Sequence, residues 1–104
     1  LEQLPKPYLE FRDRFPELAR AYDKLGETAH QNGPLDDKTR QLIKLALSIG
    51  ARNEGAVHSH TRRAMQAGAA QEEVFHVVAL SVTSIGFPSA VAAYTWVTDE
   101  LKGN

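Results

Sequence analysis

Large apolar residues recur at helical spacing from near the start of the chain. Tyr8, Phe11, Phe15, Leu18, Tyr22 and Leu25 follow one another at alternating intervals of three and four, the rhythm that draws one stripe down a helix. Pro16 falls inside the stripe. A proline there has no amide to donate and its ring crowds the preceding turn, so the pattern predicts a break near Phe15, with Pro16 opening a second segment. Gly33-Pro34 then closes the unit.

Asp36 and Asp37 suit a helix start. From Lys38 to Ile49 the chain is apolar nearly all round, with Leu42, Ile43, Leu45, Ala46, Leu47 and Ile49, while Gln41, Lys44 and Ser48 share one edge. So apolar a helix is expected to be buried on most sides. Gly50 to Asn53 makes a turn, and Asn53 can cap a helix running to about Ala67. That helix would face inward with Val57, His60, Ala64 and Ala67, turning Ser59, Arg62, Arg63 and Gln66 away; Gly68 is its expected stop.

Val74 to Ile85 is rich in Val, Ile and Thr, which favours a strand. Its uninterrupted length and the acidic opening at Glu72 and Glu73 favour a helix, and a buried helix is the reading adopted. Gly86-Phe87-Pro88 breaks the chain before a last helix, whose inner face is expected at Val91, Tyr94, Val97 (or Thr98) and Leu101. Ala90, Ala92 and Ala93 would admit a close neighbour. The fold class is therefore all-α, with five or six helices.

Composition narrows the functions open to such a bundle. At 104 residues, 42% of them hydrophobic, the chain reads as one globular domain spanning 1–104. The helices over 38–49 and 74–85 carry more apolar surface than so small a domain can cover, so self-association is expected. A net charge of −1 with acids and bases interspersed gives no case for nucleic acid or an anionic membrane. No apolar run reaches the length of a membrane span and no basic-then-apolar leader opens the chain, so a cytoplasmic location is expected. Cysteine is absent. That removes disulfides, thiolate nucleophiles and cysteine-ligated zinc.

Among the chemically competent residues His60 stands out. Asn53, Ala56 and His60 lie one turn apart and project to one side of the helix. His60 is either a core histidine satisfied by a hydrogen bond or a general acid/base, since imidazole exchanges its proton near neutral pH. His58 and His60 form an H-x-H pair, but residues two apart on a helix point to different sides, and no third ligand completes a metal site. His76, inside an apolar helix, reads as structural; His30, near a loop, is uninformative. Neither a metal nor a cofactor is expected.

The segment from Gly50 to Val74, GARNEGAVHSHTRRAMQAGAAQEEV, resembles the core of the carboxymuconolactone decarboxylase / alkylhydroperoxidase D-like family. In that family a helix beginning near two cysteines runs through a histidine to A-x-x-x-G and then to an E-E helix start; His60, Ala64, Gly68 and Glu72-Glu73 match. Upstream, L-x-x-K-T-R-Q-L-I from Leu35 to Ile43 is similar to the family's preceding helix. Downstream, Gly86-Phe87-Pro88 with the alanines after it looks like the family's G-x-P turn. The resemblance spans roughly residues 5 to 102 and implies an alkylhydroperoxidase D-like helical bundle, assembled as trimers or hexamers.

The resemblance also says which chemistry is missing. In the peroxidase branch a C-x-x-C pair would fall at Asn53 and Ala56, where a helix N-terminus favours a thiolate, and a glutamate of the proton relay would fall at Gln41. Three of four chemical positions are thus replaced and His60 alone survives. Thiol peroxidase activity by this chain alone is excluded. The decarboxylase branch also lacks the cysteines and keeps the histidine, which implies loss of carbon dioxide from a small carboxylated lactone.

Decarboxylation needs a cation or donor for the carboxylate and a proton donor for the carbon left behind. His60 is the candidate acid/base, with Gln41 as its neighbour on the preceding helix. Lys44, Asn53 and Ala56 are candidates to line the pocket, and Arg40, Arg52 and Arg63 to hold an anion. The competing readings are a non-catalytic binding or assembly subunit with a decayed site, and redox function through a partner that supplies thiols.

Overall fold

A computed structural model describes residues 4–102. It contains six helices and, among the described residues, no strand: α1 (Lys6–Arg14), α2 (Pro16–Gln31), α3 (Asp37–Gly50), α4 (Glu54–Gln66), α5 (Gln71–Ile85) and α6 (Phe87–Leu101). The fold class is all-α. The chain divides into two compact units at the Leu35/Asp36 boundary.

The first unit is the α1–α2 pair. The expected break falls at Phe15, whose backbone leaves the helical region (φ −127°, ψ 66°), and Pro16 begins α2. Arg12 bridges the two helices by pairing with Asp23 and also donates to the Tyr8 hydroxyl at 3.2 Å. Ala19 is the one buried residue of these two helices.

In the second unit α3 packs on α4 and α5, and α6 packs on the same two helices. Leu45, Ile49, Val57, Ala64, Val74, Val78, Ala93 and Val97 form its core. Local chemistry sets the helix ends. The Asp36 carboxylate accepts from the Thr39 amide at 2.9 Å, and the Asn53 side chain accepts from the Ala56 amide at 3.1 Å, so both are N-caps. At the start of α5, Ala70 has no side-chain acceptor; the Glu73 carboxylate instead reaches back to the Ala70 amide at 2.9 Å.

The ends of α3 and α4 share one geometry. After α4, the Ala69 amide donates to Ala64 O at 3.0 Å and the Gly68 amide to Met65 O at 3.1 Å, with Gly68 at φ +98°. After α3, Asn53 donates to Ser48 O at 3.1 Å and Arg52 to Ile49 O at 3.0 Å. Both are Schellman closures, whose left-handed position favours glycine. In the α3–α4 turn that position is taken by Arg52, at φ 55°.

Several sequence expectations need correction. Helix α3 is not buried on most sides: Ile43 and Leu47 are exposed, while Gln41 and Ser48, on its polar edge, are buried. The inner face of α6 is turned by about one residue, because Ala90, Ala93 and Val97 are buried and Val91 and Tyr94 exposed. Small side chains let α6 lie close against its neighbours, and the larger ones are left outside. On α4, Val57 and Ala64 are buried as expected and Ala67 is half-buried, while Thr61, not expected to face inward, is fully buried. Helix α5 buries Val74 and Val78 but exposes Leu80 and Val82. His76 is exposed rather than structural. No helix of the described residues is long and apolar enough to cross a membrane.

Candidate functional site

Helices α3 and α4 run into the Gly50–Asn53 turn and present their polar edges to each other. Gln41 stands on α3 one turn before Lys44 and nearly two before Ser48, so the three share an edge. Asn53, Ala56 and His60 answer from α4. The junction is a hydrogen bond between His60 Nδ1 and Gln41 Oε1 at 2.9 Å. An amide oxygen only accepts, so Nδ1 carries the proton in this contact. Gln41 is only 4% exposed, so it holds the imidazole from the buried side and fixes its orientation.

A shallow pocket of about 240 Å³ opens beside this pair, lined by Lys44, Leu47, Ser48, Ala51, Asn53, Ala56 and His60. None of these described lining residues is acidic. The Ser48 hydroxyl donates to its own helix at Lys44 O, 2.8 Å away. Lys44 is half-buried and its ammonium lies within electrostatic reach of Arg63 and Arg40. Burial first, and those two cations second, push its pKa below the ordinary lysine value. The pocket therefore combines an oriented imidazole with a crowded positive charge.

The structure gathers some of the expected site residues and separates others. Lys44, Asn53, Ala56 and His60 line one pocket, with Gln41 behind His60. Asn53 is already engaged through its oxygen as the cap of α4, and Ala56 offers only a methyl group. Arg63 is exposed one turn beyond His60 and contributes through its field at Lys44. Arg52 is exposed on the turn and is not among the lining residues. Arg40 sits near Lys44, its side chain also 3.5 Å from Asp37.

A second cluster, on the opposite side of α4, was not foreseen. His58 Nδ1 lies 3.0 Å from Glu100 Oε1 on α6, and its Nε2 lies 3.6 Å from Glu54 Oε2 one turn earlier. Arg62 donates to the same Glu100 oxygen at 3.3 Å. The Arg62 and Glu100 side chains are only 12% and 13% exposed, so Arg62 does not point to solvent as its spacing suggested. Glu54, His58 and Arg62 recur at intervals of four, a stripe legible in the sequence; Glu100, 38 residues beyond Arg62, comes from tertiary packing. Among the described residues no group of three or more His, Asp or Glu is placed to hold a metal ion.

A larger groove of about 390 Å³ lies between α3 and α5, walled mainly by Leu42, Ile43, Ala46, Val77, Leu80 and Ile85. It carries no charged or imidazole side chain among its described lining residues, so it offers shape and apolar surface but no acid, base or charge.

Comparison with known proteins places these features in context. Residues 16–99 match the model of the carboxymuconolactone decarboxylase family. The chain is 36% identical over 59 residues to an uncharacterised protein of Haemophilus influenzae, an alignment covering 57% of this chain and 52% of that protein. It thus spans about half the length of that curated relative. Among solved structures it is similar to a carboxymuconolactone decarboxylase family protein from Legionella pneumophila, crystallised in its apo form. That match has a TM-score of 0.78 and 27% identity, and covers 92% of this chain and 86% of the other.

Proposed function

Since the chain belongs to the carboxymuconolactone decarboxylase family, we propose that it binds a small carboxylated molecule of lactone type between α3 and α4 and acts on it by acid–base chemistry at His60. The observation that carries this reading is the His60–Gln41 hydrogen bond at the wall of a pocket that also contains Lys44. Breaking a carbon–carboxylate bond leaves an electron pair on carbon, and the step is easiest where a cation orients the carboxylate and an acid delivers a proton to that carbon. Lys44, with Arg63 and Arg40 nearby, supplies positive charge. Protonated His60 is the proton donor, and Gln41 keeps its ring in place without competing for the proton as a carboxylate would. With no cysteine in the chain, this activity proceeds without a thiol.

Self-association belongs to the same proposal, as a homotrimer or homohexamer. Ile43, Leu47, Leu80, Phe87, Val91 and Tyr94 are all exposed on the α3–α6 unit, and apolar surface of this kind favours burial against copies of the chain. Sedimentation of the purified protein checks it: a concentration-independent monomer contradicts the assembly.

A second reading, a non-catalytic binding or assembly subunit, is favoured by Asn53 and Ala56. One is engaged as a helix cap and the other is chemically inert. The two readings part at His60→Ala. Loss of turnover on a carboxylated lactone with the fold retained supports the catalytic role; a wild-type protein inert towards a panel of such lactones supports the binding role.

A further inference from the structure

We propose that Lys44 is a covalent amine nucleophile and that the pocket accepts a 3-oxo acid, forming an imine through Lys44 before carbon dioxide is lost. This rests on the reading of the α3–α4 pocket as a site for a small carboxylated molecule and refines the part Lys44 plays there: it attacks as the neutral amine, and its positive charge returns as the iminium ion. Lys44 is the one primary amine among the described residues lining the pocket, and His60 lines the same 240 Å³ space. Ser48, the hydroxyl next along the α3 edge, is spent on Lys44 O, and the chain has no cysteine. The pocket's nucleophile is therefore an amine.

An amine attacks only as the neutral base, and lysines are activated by partial burial beside other cations. Lys44 has both conditions, and its pKa is displaced downward accordingly. Arg63 and Arg40, which impose part of that displacement, lie outside the lining residues and act on the pocket through their positive field rather than by contact. An amine for the ketone, a positive field for the carboxylate and an acid for the intervening carbon together describe a substrate whose carbonyl and carboxylate are separated by one carbon.

The steps balance with water and a proton as the only co-reactants. Lys44 Nζ adds to the ketone carbon, and the carbinolamine takes up a proton and loses water to give an iminium ion. The bond from the carboxylate to its neighbouring carbon breaks, releasing carbon dioxide, and its electron pair moves into the iminium to form a neutral enamine. That carbon takes a proton from His60. Water then hydrolyses the regenerated iminium, releasing the shortened ketone, the neutral amine and a proton. One proton is consumed per turnover.

The test uses the full chain with acetoacetate and borohydride, followed by peptide mass mapping. A reduced adduct on Lys44 is expected, absent from Lys44→Arg, whose fold is checked by circular dichroism, and retained in Lys38→Arg. Binding is followed separately by NMR of the His60 ring with 3-hydroxybutyrate, which has the carboxylate but no ketone and is expected to bind without forming an adduct. If 3-hydroxybutyrate shifts the ring signals while acetoacetate labels no lysine, or labels Lys6, Lys24, Lys38 and Lys102 as readily as Lys44, the imine is wrong and the pocket stands. If neither compound shifts the ring, the pocket reading fails and the imine falls with it.

Discussion

His58 and His60 are two residues apart on one helix and live in opposite electrostatic settings. His58 lies between Glu100 and Glu54, with Arg62 closing the cluster against α6. His60 is held by an uncharged amide and shares a pocket wall with a lysine. Residue type is therefore a poor guide to role here. Carboxylates near both ring nitrogens occupy His58 in joining two helices, whereas a neutral amide acceptor on Nδ1 orients the His60 ring at the pocket wall.

The sharpest way to break this comparison is to remove each ring in turn. His60→Ala is expected to reduce turnover of a responsive carboxylated substrate by about 10²- to 10⁴-fold, the usual worth of a positioned acid/base. His58→Ala is expected to leave turnover close to wild type and to lower thermal stability. Steady-state rates and melting curves on both variants decide it, and equal losses of rate would erase the distinction.

Glu100→Ala attacks the other half of the comparison. It strips Arg62 and His58 of their shared acceptor in a largely buried setting, and a loss of about 1–3 kcal/mol in denaturant unfolding is expected, with the His60 pocket unaffected. A stability change within error would mean the cluster is surface decoration.

How much of this was legible in the sequence depends on the kind of interaction. The break at Pro16, the caps at Asp36 and Asn53, and the stop at Gly68 follow from chemistry within a few residues of chain, and the structure has each of them. The face of α6 followed from the apolar pattern only at Val97 and Leu101. Periodicity favours the largest side chains as the inner face, but close packing of α6 selects Ala90 and Ala93 and leaves Val91 and Tyr94 outside. On α3 the same preference for apolar residues fails at Gln41, buried because His60 satisfies it. Glu100 joins His58 across 42 residues of sequence, a pairing that no local spacing reveals.

Arg52 offers a smaller test, since it was a candidate anion holder and lies at the left-handed position of the α3–α4 turn. A non-glycine residue there costs roughly 1–2 kcal/mol relative to ordinary helical backbone. Arg52→Gly is expected to recover about 1 kcal/mol of stability at a C′ position without weakening ligand binding in the His60 pocket. Weakened binding together with unchanged stability would return Arg52 to the site.

The smallest effect concerns Lys44 and pH. Its folded pKa lies below the 10.5 of an unperturbed lysine, so the unfolded chain binds more protons between the two values. Stability conferred at this position therefore rises as pH climbs through that window, and the penalty of the buried charge is fully present below it. Arg63→Ala removes one of the repelling cations and should raise the Lys44 pKa, flattening that slope. Lysine-selective NMR titration of the two proteins measures it, and an unchanged Lys44 titration would show that Arg63 exerts no field there.

The central claim is that the pocket beside His60 receives a carboxylated small molecule. Amide chemical-shift mapping with 5-oxotetrahydrofuran-2-carboxylate, a simple lactone carboxylate, tests it most directly. The account predicts saturable shifts concentrated at Lys44, Ser48, Asn53, Ala56 and His60, abolished in Lys44→Gln. Shifts concentrated in the α3–α5 groove around Leu42, Val77 and Leu80, or none at all at saturating ligand, would contradict it.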